Sequence, residues 1–313
     1  MDMSLVKCLI INNCQVQTAK HALSLLCPSI AFDGFAVHTI PHDRKEESIQ
    51  ACIEQARQSD IVMTVNLSKE FLGLETPLLR EATRGTRFVT IHNLYFTGYH
   101  PDLTYLGGLW SRLRGPLGDY HSQLVFFAFL AGVSEQECFA LFNDRTFAAL
   151  KYFDQFDASL QEFRRREEAV DVVFAEEMGR LVRERIGFLS VNHPNNFLTW
   201  VYANRILDHL ESLGVPVERF PIDDGYLFNH LAHAPIWPIY PEIARHHGLP
   251  TPGFYGFKPQ SMGDTPAPLL SLKELIAGQY KALAEAPREQ LLRAHQLYFM
   301  REECYAVFGK YLV

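Results

Sequence analysis

VKCLIINNCQ, residues 6–15, is the stretch that decides the predicted fold. Its first six residues form an apolar run interrupted by a single lysine, which is typical of a strand buried on both faces of a sheet. Residues 15–26 follow with helical periodicity, so a buried strand passes directly into a helix. That succession is the first half of a β-α-β unit and indicates a parallel sheet.

The same alternation continues outward through the first hundred residues. Further strands and helices are predicted, in chain order, at residues 35–40, 45–57, 60–65, 77–83 and 87–92. Beyond residue 118 the pattern is mainly helical. We therefore predict an α/β fold: an N-terminal parallel sheet of about four to five strands flanked by helices, then a largely helical C-terminal half. Residues 1–118 and 119–313 are expected to form these two portions of one continuous globular unit.

The helical half has its own landmarks. Asp119 can cap a helix that runs through LVFFAFLAG, and Ser134 with Glu137 forms a capping box for the next helix. Apolar side chains spaced three or four residues apart from Phe156 to Leu181 predict one long helix. The last stretch, residues 272–313, is predicted to be helical again.

Composition excludes several classes of protein. The net charge of −7 gives no basic footprint for nucleic acid. The longest apolar stretch, residues 124–133, is half of what a membrane span needs, so we expect no transmembrane segment. Six cysteines lie scattered without a CxxC pair, and the histidine pairs lack further ligands at telling spacing, so no metal site is predicted. With no secretory signal, free thiols in a cytoplasmic protein are expected.

Polar side chains follow each predicted strand of the sheet. Ligands of open parallel sheets bind at the carboxyl ends of the strands, so these side chains are expected to line one crevice. They are found at Asn12-Asn13-Cys14-Gln15, Pro41-His42, Asn66 and His92-Asn93.

Cys14 is the leading candidate for chemistry. At a helix N-terminus the dipole favours an anion, which predicts a lowered thiol pKa. The helix amides, with Asn13, Gln15 or Asn66, can hold an oxyanion, and a nearby histidine can act as a base. The alternative is that Cys14 is simply a small residue packed where a bulky one does not fit.

Two other segments supply candidate acids and bases. In the stretch from His92 to Asp102, His100 precedes a proline and is held extended, while Asp102 can orient an imidazole. The same stretch can instead be a packed aromatic loop. His193 is a candidate base or a helix cap. Arg112 and Arg114 can meet phosphates or be ordinary surface residues.

Taken together, these motifs resemble a known family. They are similar to the WcbI-type polysaccharide biosynthesis family, a resemblance that implies an acetyltransferase of bacterial capsule assembly. The matching stretches are Asn12-Asn13-Cys14-Gln15 after a strand, Tyr95-Phe96-Thr97-Gly98-Tyr99-His100-Pro101-Asp102, Gly118-Asp119-Tyr120 and His193-Pro194. The resemblance implies a cytosolic enzyme that binds coenzyme A or acetyl-CoA. It also implies some likeness to the SGNH hydrolases, with Cys14 where those enzymes carry their serine. The late Asp-x-x-His pair of that pattern is not evident here, which leaves His100 and His193 as rival bases.

The leading hypothesis is acetyl transfer from acetyl-CoA to a hydroxyl of a sugar, nucleotide-sugar or polysaccharide acceptor, in association with other capsule enzymes. Either the Cys14 thiolate takes the acetyl group, or a histidine activates the hydroxyl for direct attack while Cys14 lines the site. An SGNH-like esterase or deacetylase and a non-catalytic sugar-binding component of a capsule assembly complex are the alternatives. Catalysis is expected from Cys14, His100, Asp102 and His193. Contacts with the cofactor are expected from Asn13, Gln15, Asn66, His92, Asn93, Tyr99, Arg112 and Arg114.

Overall fold

A four-stranded parallel sheet forms at the N-terminus of the chain. A computed structural model describes residues 5–71, 73–108, 111–261, 267–296 and 301–308. The strands lie in the order β2-β1-β3-β4. The elements of this part are β1 (Val6–Asn12), α1 (Val16–Leu26), β2 (Ile30–Ala36), α2 (Lys45–Arg57), β3 (Ile61–Val65), α3 (Thr76–Ala82) and β4 (Arg87–Ile91).

β1 is a central strand because its sequence suits burial on both faces. Leu9, Ile10 and Ile11 are completely buried, and β1 pairs in parallel with both β2 and β3. A strand buried on both faces loses the alternation of polar and apolar residues, as β1 does after the exposed Lys7 near its start. The predicted parallel sheet flanked by helices is confirmed.

The remainder of the chain is mainly helical, also as predicted. Its elements are β5 (Leu103–Tyr105), β6 (Tyr120–Ser122), α4 (Gln123–Leu130), α5 (Glu135–Ala140), α6 (Asp144–Ala149), α7 (Gln155–Glu167), α8 (Ala175–Glu184), β7 (Phe188–Ser190), β8 (His193–Pro194), α9 (Asn196–Ser212), α10 (Pro241–His247), β9 (Gly256–Phe257), β10 (Leu270–Ser271), α11 (Leu272–Glu285), α12 (Arg288–Gln296) and α13 (Arg301–Phe308). The predicted helical tail is three helices, and residues 297–300 and 309–313 lie outside the described residues.

β2 lies earlier in the sequence than predicted. It ends at Ala36, and the rest of the predicted segment 35–40 contains a 3-10 turn, Val37–Thr39. Asp33 and Gly34 disguise the strand because neither favours β structure. Both are needed by neighbours: Asp33 Oδ1 lies 2.9 Å from Lys20 Nζ, and a Cβ on Gly34 would stand 2.8 Å from Val16 Cγ2.

The single long helix predicted from Phe156 to Leu181 is wrong. α7 ends at Glu167 and α8 begins at Ala175. Asp171, in the break, accepts hydrogen bonds from Thr90 N at 2.6 Å and Thr90 Oγ1 at 2.7 Å. The Glu167 carboxylate accepts from Phe174 N and, at 2.6 Å, from Ala175 N, so it satisfies the free amides at the start of α8.

The helix cap predicted at Asp119 also lies elsewhere. Ser122 is the cap of α4, with its side chain accepting from Val125 N at 3.1 Å. The intervening residues, Tyr120–Ser122, form β6 instead. The capping box of Ser134 and Glu137 is present as predicted.

Two compact units divide the chain, and each is built from separate segments. The first contains Met1–Tyr95, Glu162–Leu181 and His193–Leu231, and the second contains Phe96–Gln161, Val182–Asn192 and Ala232–Val313. The sheet belongs to the first unit. The division at residue 118 stays a prediction about the two halves of the sequence. Within the described ranges, every helix is too short or too polar to cross a bilayer.

Candidate active site at the turn after the first strand

Cys14 lies in the turn between the end of β1 and the start of α1. Two asparagines build this turn from their own side chains. Asn12 Oδ1 accepts from Asn13 N at 2.7 Å, and Asn13 Oδ1 accepts from Gln15 N at 3.1 Å. Asn13 O accepts from Val16 N at 3.1 Å. Cys14 is therefore held by a hydrogen-bonded turn at the carboxyl edge of the sheet.

The acidity of the Cys14 thiol differs from the prediction. Burial raises its pKa to about 11, and a hydrogen bond from the backbone offsets only part of that rise. Cys14 Sγ lies 3.7 Å from Asn13 Oδ1. The predicted lowering of the pKa is therefore wrong, because desolvation of the thiolate outweighs the hydrogen bond from the backbone. The thiol is protonated at neutral pH.

Gln15 fastens this turn to the segment after β4. Its Nε2 donates to Asn93 Oδ1 at 2.9 Å and to Leu94 O at 2.7 Å, while its Oε1 accepts from Leu94 N at 3.2 Å. Gln15 is 4% exposed. Gln15 and Asn93, both predicted to line the crevice, are thus brought together. They hydrogen-bond to each other, which gives both side chains a structural role.

His92 lies in the interior of the first unit. It is 2% exposed and its ring stacks on Phe163 with centroids 4.1 Å apart. Its Nε2 lies 3.3 Å from Glu167 Oε2, and its backbone N–H donates to Tyr202 Oη at 2.6 Å. Burial lowers its pKa to about 4, a shift that Glu167 partly opposes. These contacts give His92 a packing role.

A small cavity lies behind the turn. Its volume is about 30 Å³, and its lining includes Gln15, Thr18, His92, Thr199 and Tyr202. That volume suits a water molecule and is far below the several hundred Å³ of a drug-sized ligand site. A cofactor as large as CoA would therefore have to bind outside this cavity.

His193 belongs to the same unit as Cys14. It is 6% exposed, and burial lowers its pKa to about 4, with a further contribution from the charge of nearby His38. Asn195 is the residue that caps α9, since its Oδ1 accepts from Leu198 N at 3.0 Å. His193 is therefore not the cap of α9, and that alternative is wrong.

His38 is a candidate that the sequence analysis missed. Asn12 pairs with Ala36 across β1 and β2, and Cys14 and His38 each follow two residues beyond that pair. Both therefore leave neighbouring strands at the same edge of the sheet. His38 is exposed, as is Asn66 directly after β3. Correct placement of the end of β2 would have found His38 in place of His42.

His100 and Asp102 belong to the second unit, where both are buried. Burial lowers the pKa of His100 to about 3. Asp102 Oδ1 accepts from Leu124 N at 2.9 Å and Tyr152 Oη at 2.7 Å, and its Oδ2 accepts from Tyr240 Oη at 2.7 Å. Within the described residues, none of its hydrogen bonds joins an imidazole. Asp102 thus anchors α4 and two tyrosines rather than orienting a base.

The remaining predicted cofactor residues also lie in the second unit. Tyr99 is fully buried, and its hydroxyl donates to Val182 O and Arg185 O. Arg112 lies over the Tyr105 ring, 4.1 Å from its centroid. The exposed Arg114 has its Nε 3.7 Å from Asp119 Oδ1. Tyr99 therefore serves packing, and phosphate contacts by the two arginines stay a prediction.

In the parts of the chain that the structure describes, no three His, Cys, Asp or Glu side chains are grouped so as to hold a metal ion.

The fold and this site define a class of α/β protein that carries a cysteine at the turn from the first strand of a parallel sheet into the first helix. A family model described as "Polysaccharide biosynthesis enzyme WcbI" matches residues 7–214. The chain belongs to the WcbI family, which confirms the resemblance noted in the sequence. Comparison with curated proteins found no match.

The fold is similar to a solved structure described as "Structural insights into WcbI, a novel polysaccharide biosynthesis enzyme. Native protein without disulfide bond between COA and Cys14". The TM-score is 0.73 at 14% sequence identity, and the match covers 97% of this chain and 100% of the other. At this identity the likeness establishes the fold.

Proposed function

We propose that this protein transfers an acetyl group from acetyl-CoA to a sugar hydroxyl of a capsular polysaccharide precursor. The observation that carries the proposal is the place of Cys14, partly exposed in a rigid turn at the carboxyl edge of the sheet. Two comparisons support it: the family is one of polysaccharide biosynthesis enzymes, and the similar solved structure is described in terms of CoA and a cysteine. Under this proposal the CoA sulfur lies beside Cys14.

The protonated thiol favours direct transfer over an acetyl-cysteine intermediate. In direct transfer, the acceptor oxygen attacks the thioester carbonyl carbon, and the bond between that carbon and sulfur breaks. A histidine takes the proton of the hydroxyl and delivers it to the departing CoA thiolate. A covalent route would first need a base to deprotonate Cys14, whose pKa of about 11 opposes that step.

Two histidines of the first unit are the proposed proton carriers. His193 is neutral at physiological pH because burial lowers its pKa, and His38 is close enough to influence it electrostatically. His38 is exposed and can meet an acceptor directly. Asn66, exposed after β3, is the proposed donor to the carbonyl oxygen as negative charge develops there.

The first test is titration calorimetry with acetyl-CoA, using an acetyl ester without the nucleotide as control. Saturable binding is expected for acetyl-CoA, and no binding is expected for the ester. Absence of binding at millimolar acetyl-CoA would refute the proposal. Transfer is then followed by mass spectrometry of oligosaccharide acceptors, which gain one acetyl group per event.

Variants assign the roles. His193→Gln and His38→Gln are expected to slow transfer by a factor of about 10² or more while CoA binding is kept. His209→Gln, partly exposed on α9, is the matched control. Cys14→Ser should retain most of the transfer rate in the direct route and lose it in the covalent one.

The hydrolase alternative has its own readout. An esterase or deacetylase built on the same turn would release acetate from a generic acetyl ester in the absence of CoA. We expect no such turnover, and its presence would favour the hydrolase.

A further inference from the structure

A short segment after α9, residues 226–228, exposes two aromatic rings. Tyr226 is 67% exposed and Phe228 is 53% exposed, whereas Leu227 between them is 7% exposed. Tyr226 ends a 3-10 turn, Asp224–Tyr226, and Leu227 after it has extended backbone angles, so the chain leaves the turn with a buried leucine between two exposed rings. The buried leucine thus anchors the segment between the two exposed rings.

Hydrogen bonds hold this segment in place. Asn196 Nδ2 donates to Leu227 O at 2.6 Å, and Trp200 Nε1 donates to Ile222 O at 2.8 Å. Farther along, Asn229 Nδ2 donates to Pro194 O at 3.2 Å. The rings are therefore presented by an anchored backbone, which lowers the entropy lost when a ligand stacks on them.

The same segment adjoins the elements that carry Cys14 and His193. His21, two helical turns beyond Cys14 on α1, accepts from Phe228 N at 3.1 Å through its Nε2. The His230 ring links the two, with its centroid 4.9 Å from that of Phe228 and 5.5 Å from that of His21. Pro194, which accepts from Asn229, directly follows His193. All of these residues belong to the first unit.

The charges beside the rings select the kind of ligand. Asp223 is exposed, with its Oδ1 accepting from Gly225 N at 2.9 Å, and Asp224 is partly exposed; they lie three and two residues before Tyr226. The nearest arginine in sequence, Arg219, is engaged by Asp208 at 2.7 Å and Glu211 at 3.0 Å. Carboxylates accept hydrogen bonds from hydroxyl groups and repel phosphates and uronates. This surface therefore suits an uncharged, hydroxyl-rich ligand with an apolar ring face.

We propose that Tyr226 and Phe228 form the acceptor subsite of this protein and that it takes a neutral sugar unit of a glycan, with Asp223 and Asp224 accepting from sugar hydroxyls. This inference rests on the proposed transferase function and narrows its acceptor. A nucleotide-sugar acceptor is disfavoured, because its diphosphate would approach the two carboxylates.

The test compares neutral galacto-oligosaccharides with oligogalacturonates, which differ in charge, by saturation-transfer NMR and calorimetry on the full chain. The neutral series is expected to bind saturably and more tightly than the charged one. Tyr226→Ala and Phe228→Ala should each weaken binding by about 3- to 10-fold, while Tyr226→Phe keeps it. Phe254→Ala, at a ring that is 54% exposed elsewhere, is the matched control and should change nothing.

The outcomes separate the subsite from the transferase function. Acetyl-CoA binding should be the same in wild type and in all ring variants. Wild type that binds acetyl-CoA but no neutral oligosaccharide at millimolar concentration would overturn the subsite alone. Tighter binding of oligogalacturonates than of neutral oligosaccharides would also overturn the subsite. Undiminished binding of neutral oligosaccharides by the double variant Tyr226→Ala, Phe228→Ala would do the same. If the wild type binds no acetyl-CoA but binds neutral sugars in a way that depends on Tyr226 and Phe228, the transferase proposal is overturned and the subsite proposal stands.

Discussion

At the scale of single residues, Cys14 combines two opposing effects on one thiol. Its place before α1 favours a thiolate, but burial acts more strongly and raises the pKa to about 11. A reactive cysteine needs both an electropositive setting and access to solvent. The turn before α1 provides the electropositive setting but restricts the access of solvent to the thiol.

Alkylation of Cys14 by iodoacetamide is therefore expected to be slow at neutral pH. Because only the thiolate reacts, its rate should keep rising with pH and show no plateau up to about pH 9. Mass spectrometry of the peptide that contains Cys14 measures the rate, with Cys14→Ser as the blank. A plateau below about pH 8 would contradict the raised pKa and restore the covalent route.

Asp102 is expected to matter for stability. Asp102→Ala leaves Leu124 N, Tyr152 Oη and Tyr240 Oη without their buried acceptor, so the free energy of unfolding should fall by about 3 kcal/mol or more. Urea unfolding measures the loss. Asp119→Ala, at a partly exposed carboxylate, is the control, with an effect within about 0.5 kcal/mol. A stable Asp102→Ala protein that lacks transfer would instead indicate catalysis.

At the scale of elements, the contact of α1 with β2 depends on Gly34. Gly34→Ala places a methyl group 2.8 Å from Val16 Cγ2, and the β-branched valine has little freedom to move. We expect a loss of about 1 to 3 kcal/mol in unfolding free energy and weaker CoA binding, since Val16 starts the helix beside Cys14.

Gly179→Ala is the matched control for that change. Gly179 lies within α8, and its added Cβ would meet only Arg164 Nη2 at 3.8 Å. Alanine in a helix interior should leave the unfolding free energy unchanged or raise it by up to about 1 kcal/mol. Equal effects of the two substitutions in urea titrations would contradict the packing argument.

Elements with local patterns could be predicted, and those set by distant partners could not. α2 has the predicted bounds because its periodicity and polarity lie within one segment. The break between α7 and α8 depends on Asp171 reaching Thr90, which no local pattern reveals. β2 was misplaced because Asp33 and Gly34 serve α1, against the preferences of a strand.

The residues of the candidate site also fall into those that local sequence predicts and those that depend on distant partners. Cys14 could be located because a buried strand passes into a helix within a few residues. The roles of Gln15 and His92 could not, since their partners Leu94, Asn93, Glu167 and Phe163 become neighbours only in the folded chain.

At the scale of the whole molecule, buried histidines predict the dependence of stability on pH. Burial lowers the pKa of His92 and His193 to about 4 and that of His100 to about 3. Below about pH 6.5 the unfolded chain binds protons at these positions while the folded chain does not. The free energy of unfolding is therefore highest above about pH 6.5 and falls as the pH drops towards 4.

Each such histidine contributes a slope of up to about 1.4 kcal/mol per pH unit in that window. Urea midpoints measured between about pH 7 and about pH 5 check the direction. His92→Gln or His100→Gln should reduce the slope, whichever of the two folds well enough to measure. Stability that stays level or rises on acidification would refute this prediction.

The interleaving of the two compact units has a consequence for how the protein is made. The ribosome completes the sheet strands within the first segment, yet the last segment of that unit, His193–Leu231, emerges much later, on the order of 10 s at ordinary translation speeds. Until then the apolar surfaces that pack against α9 in the folded protein remain exposed to solvent. A nascent chain that stops before Leu231 should therefore be protease-sensitive and dependent on chaperones, and the native sheet should become protected only after residues 193–231 have left the ribosome.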